Sequence, residues 1–128
     1  MDFFIQKNST LPILEYDVTD DSVTYNITDE MWENCAVTFS MIDENGIYRI
    51  ANKEAIFIMT EKIISSIEPY KYKIAYKFSQ NDTRKSGQFC AEFKIDFIGE
   101  NTCGKITLPN TSKINIYIND NITKTTVI

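Results

Sequence analysis

Residues 79–98 read SQNDTRKSGQFCAEFKIDFI, so a polar turn that ends in glycine leads directly into a segment of alternating character. From Phe89 to Phe97 every second residue is apolar, and Glu92, Lys94 and Asp96 occupy positions between them. Successive side chains of a β-strand point to opposite faces, so the alternation predicts a strand with one buried and one solvated side. This stretch therefore predicts β structure.

The same period of two recurs along the chain. Further strands are predicted at residues 3–7, 13–18, 36–42, 47–50, 55–64, 71–78, 104–108 and 113–119. Between two of them, Asn45-Gly46 accepts the positive φ values of a tight hairpin turn. Turn signals recur roughly every 8–12 residues, a spacing typical of a β-sandwich or barrel. Residues 28–34 are the exception, since a Thr28 cap followed by acidic residues predicts one short helix.

The chain has the size of a single domain. Its 128 residues, of which 43% are hydrophobic and 12% aromatic, can bury one proper core. The sequence contains no internal repeat, linker or low-complexity run. We therefore predict one all-β domain over residues 1–128, a β-sandwich with extended termini and at most one short helix.

The order Asp-Thr, glycine, aromatic residue and cysteine in residues 82–90 resembles the corner that leads into a central strand of immunoglobulin domains. In this fold motif, Asp82 and Thr83 are expected to cap the turn and Gly87 to permit it. Phe89 and Phe93 are expected to anchor the strand that follows. The predicted architecture is thus an immunoglobulin-like antiparallel β-sandwich.

The cysteines do not complete an immunoglobulin disulfide pattern. Cys35 and Cys90 are about the right distance apart, but Trp32 precedes Cys35, whereas an immunoglobulin domain places its tryptophan after the first cysteine. Phe89 stands where the corner tyrosine belongs. With Cys103 the number of cysteines is odd, and in a cytoplasmic product we expect all three to be free thiols.

The charge and hydropathy patterns argue against several partners. The net charge is -5, and Lys and Arg are spread among the acids, so we expect no nucleic-acid partner. The longest apolar runs, such as residues 55–59, are far shorter than the ~20 residues of a membrane-spanning helix, so we expect no membrane partner. The first residues lack a basic region and a cleavage site of a secretory signal, which predicts a chain made in a cytoplasm.

Catalytic chemistry has little support in the residue types present. The chain has no histidine, the commonest general base and metal ligand. Its carboxylates occur as adjacent pairs such as Asp43-Glu44, and neighbours on a strand point to opposite faces. Cys90 has no histidine that would make it a thiolate. We predict no catalytic residue, no metal site and no cofactor.

The residues that stand out are suited to contacts between elements or chains. Residues 119–128 are rich in β-branched side chains, and the chain opens with three apolar residues at 3–5. Such termini either close an edge of their own sheet or add a strand to a neighbour. The predicted interface residues are Phe3, Phe4, Trp32, Ile122, Val127 and Ile128. For Trp32, a place in the core is the alternative.

Four segments, in this order, resemble small structural proteins of tailed bacteriophages. They are FFIQKNSTLP (3–12), VTFSMIDENGIYRI (37–50), YKFSQNDTRKSGQFCAEFKIDF (76–97) and GKITLPNTSKINIYI (104–118). The layout is also similar to the amino-terminal immunoglobulin-like domain of phage baseplate upper proteins. The resemblance implies a non-enzymatic virion component of the head, neck, tail or baseplate, assembled in the bacterial host cytoplasm. Its partners would be other phage structural proteins in a symmetric ring.

A second function stays open from the sequence. A carbohydrate- or protein-binding sandwich that acts in host recognition would have the same composition. Exposed Tyr48 and Tyr70 could stack on sugars, although an aromatic residue on a strand more often packs against a cross-strand neighbour.

Overall fold

The structure is a computed structural model that describes residues 1–18, 25–60, 71–99, 102–109 and 113–120. Within these ranges the chain forms nine β-strands and one short helix. They are β1 (Asp2–Gln6), β2 (Leu14–Asp17), α1 (Asp29–Glu33), β3 (Cys35–Ile42), β4 (Tyr48–Glu54), β5 (Ile56–Thr60), β6 (Lys71–Tyr76), β7 (Gly87–Gly99), β8 (Thr102–Leu108) and β9 (Ile114–Asn119).

The strands form two sheets around one hydrophobic core. The larger sheet has the order β1-β9-β7-β3-β4, and β8 pairs with the second half of β7, on the same side as β9. The smaller sheet has the order β2-β6-β5. The predicted all-β sandwich with one short helix is confirmed.

Strand β7 is the central element of the larger sheet because its 13 residues pair with three other strands. Phe93 lies opposite Phe39 of β3 on one side and opposite Leu108 of β8 on the other. Nearer its start, Phe89 lies opposite Ile116 of β9. This is the strand that the quoted alternation predicts, and its alternating apolar residues from Phe89 to Phe97 point into the core.

The first strand closes an edge of its own sheet. β1 runs parallel to β9, with Phe3 opposite Ile116 and Ile5 opposite Ile118. All other strand pairs of the described residues are antiparallel. Residues 3–5 therefore close an edge of their own sheet, which is the first of the two roles predicted for the termini. The other terminal segment, residues 121–128, lies outside the described residues.

Local chemistry explains the hairpin and the helix that the sequence predicts. In the turn between β3 and β4, the Asp43 carboxylate accepts hydrogen bonds from the Asn45 and Ile47 amides (both 2.9 Å), and Gly46 has φ 78°. Helix α1 begins after Thr28, whose hydroxyl accepts a hydrogen bond from the Met31 amide (3.3 Å). Both predictions are confirmed.

The core lies between the inner faces of the two sheets. Phe39 of the larger sheet stacks on Tyr76 of the smaller sheet with ring centroids 4.3 Å apart, and Phe93 packs beside Phe39. Fully burying one such side chain contributes roughly 1.5–3 kcal/mol. The inner faces are thereby committed to folding, so a binding site must be sought on the outer faces, the edges and the loops.

Candidate functional site

The loop between β6 and β7 holds a buried charge. Asp82 is only 3% exposed, and its carboxylate accepts hydrogen bonds from the Tyr76 hydroxyl (2.6 Å), the Ser79 amide (2.9 Å) and the Lys53 ammonium (2.9 Å). Lys53 comes from β4 and Tyr76 from β6, so the carboxylate connects both sheets to the corner. A buried carboxylate with three donors is fully engaged, which makes Asp82 a structural residue.

The surroundings of Asp82 also set its ionisation. Burial opposes the charged form, but the hydrogen bonds from Tyr76, Ser79 and Lys53 outweigh it, so the pKa of the Asp82 carboxyl lies below its usual value. Burial, together with the nearby carboxylate, raises the pKa of Tyr76 above its usual value. At neutral pH the pair is therefore a carboxylate accepting from a neutral phenol.

The other members of the predicted fold motif lie on the same corner or on β7. Thr83 is buried, and its hydroxyl donates to the Ser9 carbonyl (2.8 Å), which ties the segment after β1 to the corner. Gly87 has φ 147°, a value that L side chains rarely adopt. Phe89 and Phe93 are buried on the inner face of β7.

The structure separates the predicted interface residues into different environments. Phe3 is in the core, where its ring stacks on Phe78, and Trp32 is 1% exposed between the sheets. Phe4, the next residue along β1, is 57% exposed on the outer face. We therefore carry the interface prediction forward only for Phe4. The remaining three, Ile122, Val127 and Ile128, lie outside the described residues.

The described residues contain little that supports catalysis. Among them, no three Cys, Asp or Glu side chains come together to hold a metal ion. The three cysteines are free, and burial raises the pKa of the Cys35 thiol, which disfavours a thiolate. No helix in the described part of the chain is long and apolar enough to cross a membrane.

The outer face of the larger sheet carries exposed aromatic side chains near the start of β7. We call Phe4, Ile42, Tyr48, Cys90 and Tyr117 the aromatic face. Tyr48 is 56% exposed, nearly as much as Phe4. The ring of Phe4 stacks on Tyr117 with centroids 4.9 Å apart. These five residues come from five different strands, so only the folded sheet brings them together.

Strand register explains how the aromatic face is assembled. Ile42 lies opposite Tyr48 of β4 and opposite Cys90 of β7, so these three residues form a row across three strands. One residue pair further along, Phe4 lies opposite Tyr117. The row of Tyr48 and the row of Phe4 thus flank β7 from its two sides.

Two shallow hollows border β7 within the aromatic face. The first, of about 210 Å³, is lined by Ser40, Ile42, Tyr48, Cys90, Ala91 and Glu92. The second, of about 270 Å³, shares Ile42, Cys90 and Glu92 and adds Pro109 and Lys113. Both open to the outer surface, and both carry apolar walls beside ionic groups, Glu92 in the first and Glu92 with Lys113 in the second.

The other half of the same outer face is different. Lys94 and Asp96 on β7 lie beside Thr107 and Lys105 on β8, and Thr38 lies opposite Lys94 on β3. Charged and hydroxyl groups there remain in contact with water. The aromatic face is therefore a local feature of one end of the sheet.

Sequence reasoning identified Phe4 but did not assign Ile42, Cys90 or Tyr117 to a site. Each lies on the solvated side of an alternating strand, and an apolar residue at such a position is the signal that was available. For Tyr48 the sequence leaves two roles open, stacking on a sugar and packing against a cross-strand neighbour. The register of β1 with β9 is what brings Phe4 and Tyr117 together.

Comparisons of the chain with known protein families, with curated proteins and with solved structures find no match. The residues and surfaces described above are therefore the basis for assigning a function.

Proposed function

We propose that this protein is a non-enzymatic structural component of a tailed-phage virion, which binds other virion proteins through the aromatic face and through strand edges. The four segments that resemble phage structural proteins motivate the phage assignment. The acidic net charge of -5 suits docking onto proteins better than onto packaged DNA. The contact role has a separate basis in the surface of the molecule.

The exposure of the aromatic face is the observation that carries the contact role. Two large aromatic side chains, Phe4 and Tyr48, are each more than half exposed on one end of one sheet. Contiguous exposed apolar patches on soluble domains mark interaction sites, and Tyr and Phe are enriched in the buried centres of protein interfaces. Ile42 adjoins Tyr48 and Tyr117 adjoins Phe4, and the side chains of Gln88 and Asn115 lie between the two groups.

An edge strand offers a second kind of contact. Strand β5 has the sequence IFIMT, without a charge, and Ile56 and Ile58 are exposed. Among the described residues β5 pairs only with β6. An uncharged apolar edge is a template for pairing with another strand. The amino terminus does not provide such an added strand, because β1 is already paired within its own sheet.

Quantitative mass spectrometry of purified particles tests the phage assignment. The particles are those made by the phage whose genome encodes the chain, and the copy number is measured against a known capsid protein. We expect a fixed copy number that is a multiple of the symmetry of one ring. Mature particles that lack the protein would contradict the proposal.

Incorporation of surface variants tests the contact role. Tyr48→Ser and Phe4→Ser should each lower the copy number in particles at least fivefold, because each removes an exposed anchor from the aromatic face. Ile98→Ser is the matched control. Ile98 is 67% exposed on the same outer face of the sheet, but it lies about 26 Å from Cys90 along β7. Equal incorporation of all three variants would exclude the aromatic face as the contact.

One observation favours glycan binding as a second candidate function. Tyr48 is exposed beside a hollow that also presents the Glu92 side chain, and an aromatic ring with nearby polar groups suits a sugar. A chemical-shift titration with host surface polysaccharide fragments would separate the two candidates. Two results together would replace the structural role with glycan binding. The chain would bind a polysaccharide fragment, with the binding abolished by Tyr48→Ser, and it would be missing from mature particles.

A further inference from the structure

We propose that the aromatic face binds a second copy of this chain, with a two-fold axis that runs along β7 close to Cys90. The inference rests on the contact role proposed above and names the partner for that surface. A two-fold contact uses the same patch on both copies, so the patch must be complementary to itself. Three features of the aromatic face meet that requirement.

The aromatic groups are placed symmetrically about β7. Tyr48 is on β4, two strands from β7 on one side, and Phe4 is on β1, two strands away on the other. A two-fold axis along β7 in the plane between two facing sheets exchanges these flanks. Tyr48 of each copy then lies over the Phe4 and Tyr117 stack of its partner, within one residue pair along the strands. Aromatic rings that meet in this way attract each other beyond the area that they bury.

The hollows are also placed on the two sides of β7. One lies toward β3 and β4, beside Tyr48, and the other lies toward β8 and β9, beside Pro109 and Lys113. The same axis places each hollow over the other hollow of the partner, so the two copies enclose one shared space on each side of the axis. Facing sheets that pack about 10 Å apart fill such a space with side chains from both copies.

The ionic groups balance across the axis. Glu92 lies on β7, next to the axis, so the two copies bring two Glu92 carboxylates together. Lys113 lines the hollow on one side of Glu92, and the axis places the partner's Lys113 on its other side. Each carboxylate then has an ammonium group on both sides, in addition to Lys94, whose ammonium is 3.9 Å from it. The charges therefore favour a second copy over a partner of arbitrary surface.

The size of the face sets the strength of the contact. Five strands at about 4.8 Å spacing make it about 24 Å wide, and six residues along β7 make it about 20 Å long, or about 500 Å² per copy. Two copies would bury about 1,000 Å², at the low end of specific interfaces. We therefore expect reversible dimers that form as concentration rises and that gain strength when several copies are held in one assembly.

Sedimentation velocity of the purified chain under reducing conditions is the first test. We expect a concentration-dependent shift from monomer to dimer, which Tyr48→Ser and Phe4→Ser weaken at least fivefold and Ile98→Ser leaves unchanged. Glu92→Lys should weaken the dimer as well, and Glu92→Lys combined with Lys113→Glu should restore it. Dimers that persist in Tyr48→Ser would overturn the two-fold arrangement. So would a Glu92→Lys, Lys113→Glu chain that dimerises no better than Glu92→Lys alone.

Cross-linking at Cys90 tests the position of the axis. In a Cys35→Ser, Cys103→Ser chain, the two Cys90 thiols should react with one short bismaleimide to give a covalent dimer. An oxidant should not do so efficiently, because facing sheets about 10 Å apart exceed the reach of a disulfide. The same chain with Cys90→Ser and Ile98→Cys is the control and should give at least fivefold less covalent dimer. Equal yields at both positions would overturn the axis.

The outcomes separate this inference from the proposed function. A chain that remains monomeric at every concentration, while Tyr48→Ser is lost from particles, would show that a different protein covers the face. The inference would then be wrong, and the contact role would stand. A dimer that forms as expected, in a protein missing from particles, would support the inference and remove the virion assignment.

Discussion

Aromatic stacks of nearly the same geometry but different exposure lie on the two sides of the larger sheet, one between α1 and the smaller sheet and one on the outer face. On the inner side, Trp32 stacks on Phe57 with ring centroids 4.9 Å apart and planes 6° apart. On the outer side, Phe4 stacks on Tyr117 at 4.9 Å and 15°. Trp32 is 1% exposed and Phe4 57%. The geometry of a ring pair therefore does not distinguish a core contact from a surface contact, whereas the exposed fraction of the rings does.

The difference in exposure shows which of the two stacks contributes to the stability of the fold. The inner stack contacts both sheets, since Trp32 also meets Tyr72 of β6 and Phe97 of β7. The outer stack joins only two neighbouring strands of one sheet. Changes on the inner side should therefore lower the free energy of unfolding. Changes on the outer side should lower association and leave the fold intact.

Replacement of Trp32 should have the largest effect on stability. Trp32→Ala removes the ring that fills the space between the sheets, and the expected loss is about 3–5 kcal/mol in the free energy of unfolding. Urea unfolding followed by circular dichroism measures it. Trp32→Phe is the control and should lose less than half as much, because it keeps a stacking ring. A loss below about 1 kcal/mol would contradict the role of Trp32 as a core residue.

Replacement of Asp82 should have the next largest effect. Asp82→Ala leaves the Tyr76 hydroxyl and the Ser79 amide without their acceptor, and the expected loss is about 2–4 kcal/mol. Lys53→Met is the control, because the Lys53 side chain is half exposed and its pair with Asp82 should contribute about 1 kcal/mol or less. If both variants lose the same amount, the ion pair and not the buried network holds the corner.

Much of the inner side could be predicted from the sequence. The apolar alternation of Phe89 to Phe97 gave the central strand, and Asn45-Gly46 gave the hairpin, because both signals act over a few residues. Strand β4 was predicted to end at Ile50 but continues to Glu54. Residues 51–54 are all exposed and show no apolar period, so their pairing depends on β3, which no local pattern reports.

The outer side could not be predicted in the same way. The aromatic face needs the register of five strands, and its residues are far apart in the sequence. Trp32 shows the opposite difficulty. A single tryptophan in a short helix has no periodicity that indicates burial, so the sequence leaves it as either a core residue or an interface anchor, and the structure encloses it between the sheets. Composition and spacing identify faces of single elements, and tertiary packing decides which faces are covered.

Acid should destabilise the molecule through Asp82, with a smaller effect than removal of its side chain. The pKa of Asp82 is lowered in the folded chain, so its contribution is fully present above the unfolded value of about 3.9 and is lost as pH falls through the folded value. The difference in unfolding free energy between the wild-type chain and Asp82→Asn, measured by urea titration between pH 7 and pH 2, should therefore shrink as pH falls. A difference that stays constant would show that the charge of Asp82 contributes nothing.

Replacement of Phe4 should have the smallest effect on stability and a large one on association. Phe3 and Phe4 are neighbours on β1 that point to opposite faces, so they form a matched pair. Phe3→Ala should lose about 3 kcal/mol, since Phe3 is buried against Phe78. Phe4→Ala should change the free energy of unfolding by about 0.5 kcal/mol or less, because an exposed ring gives up little contact. Sedimentation should show the reverse order among folded chains, with weaker dimers for Phe4→Ala. A Phe4→Ala chain that unfolds as easily as Phe3→Ala would make the outer stack part of the core, and the distinction between the two faces would fail.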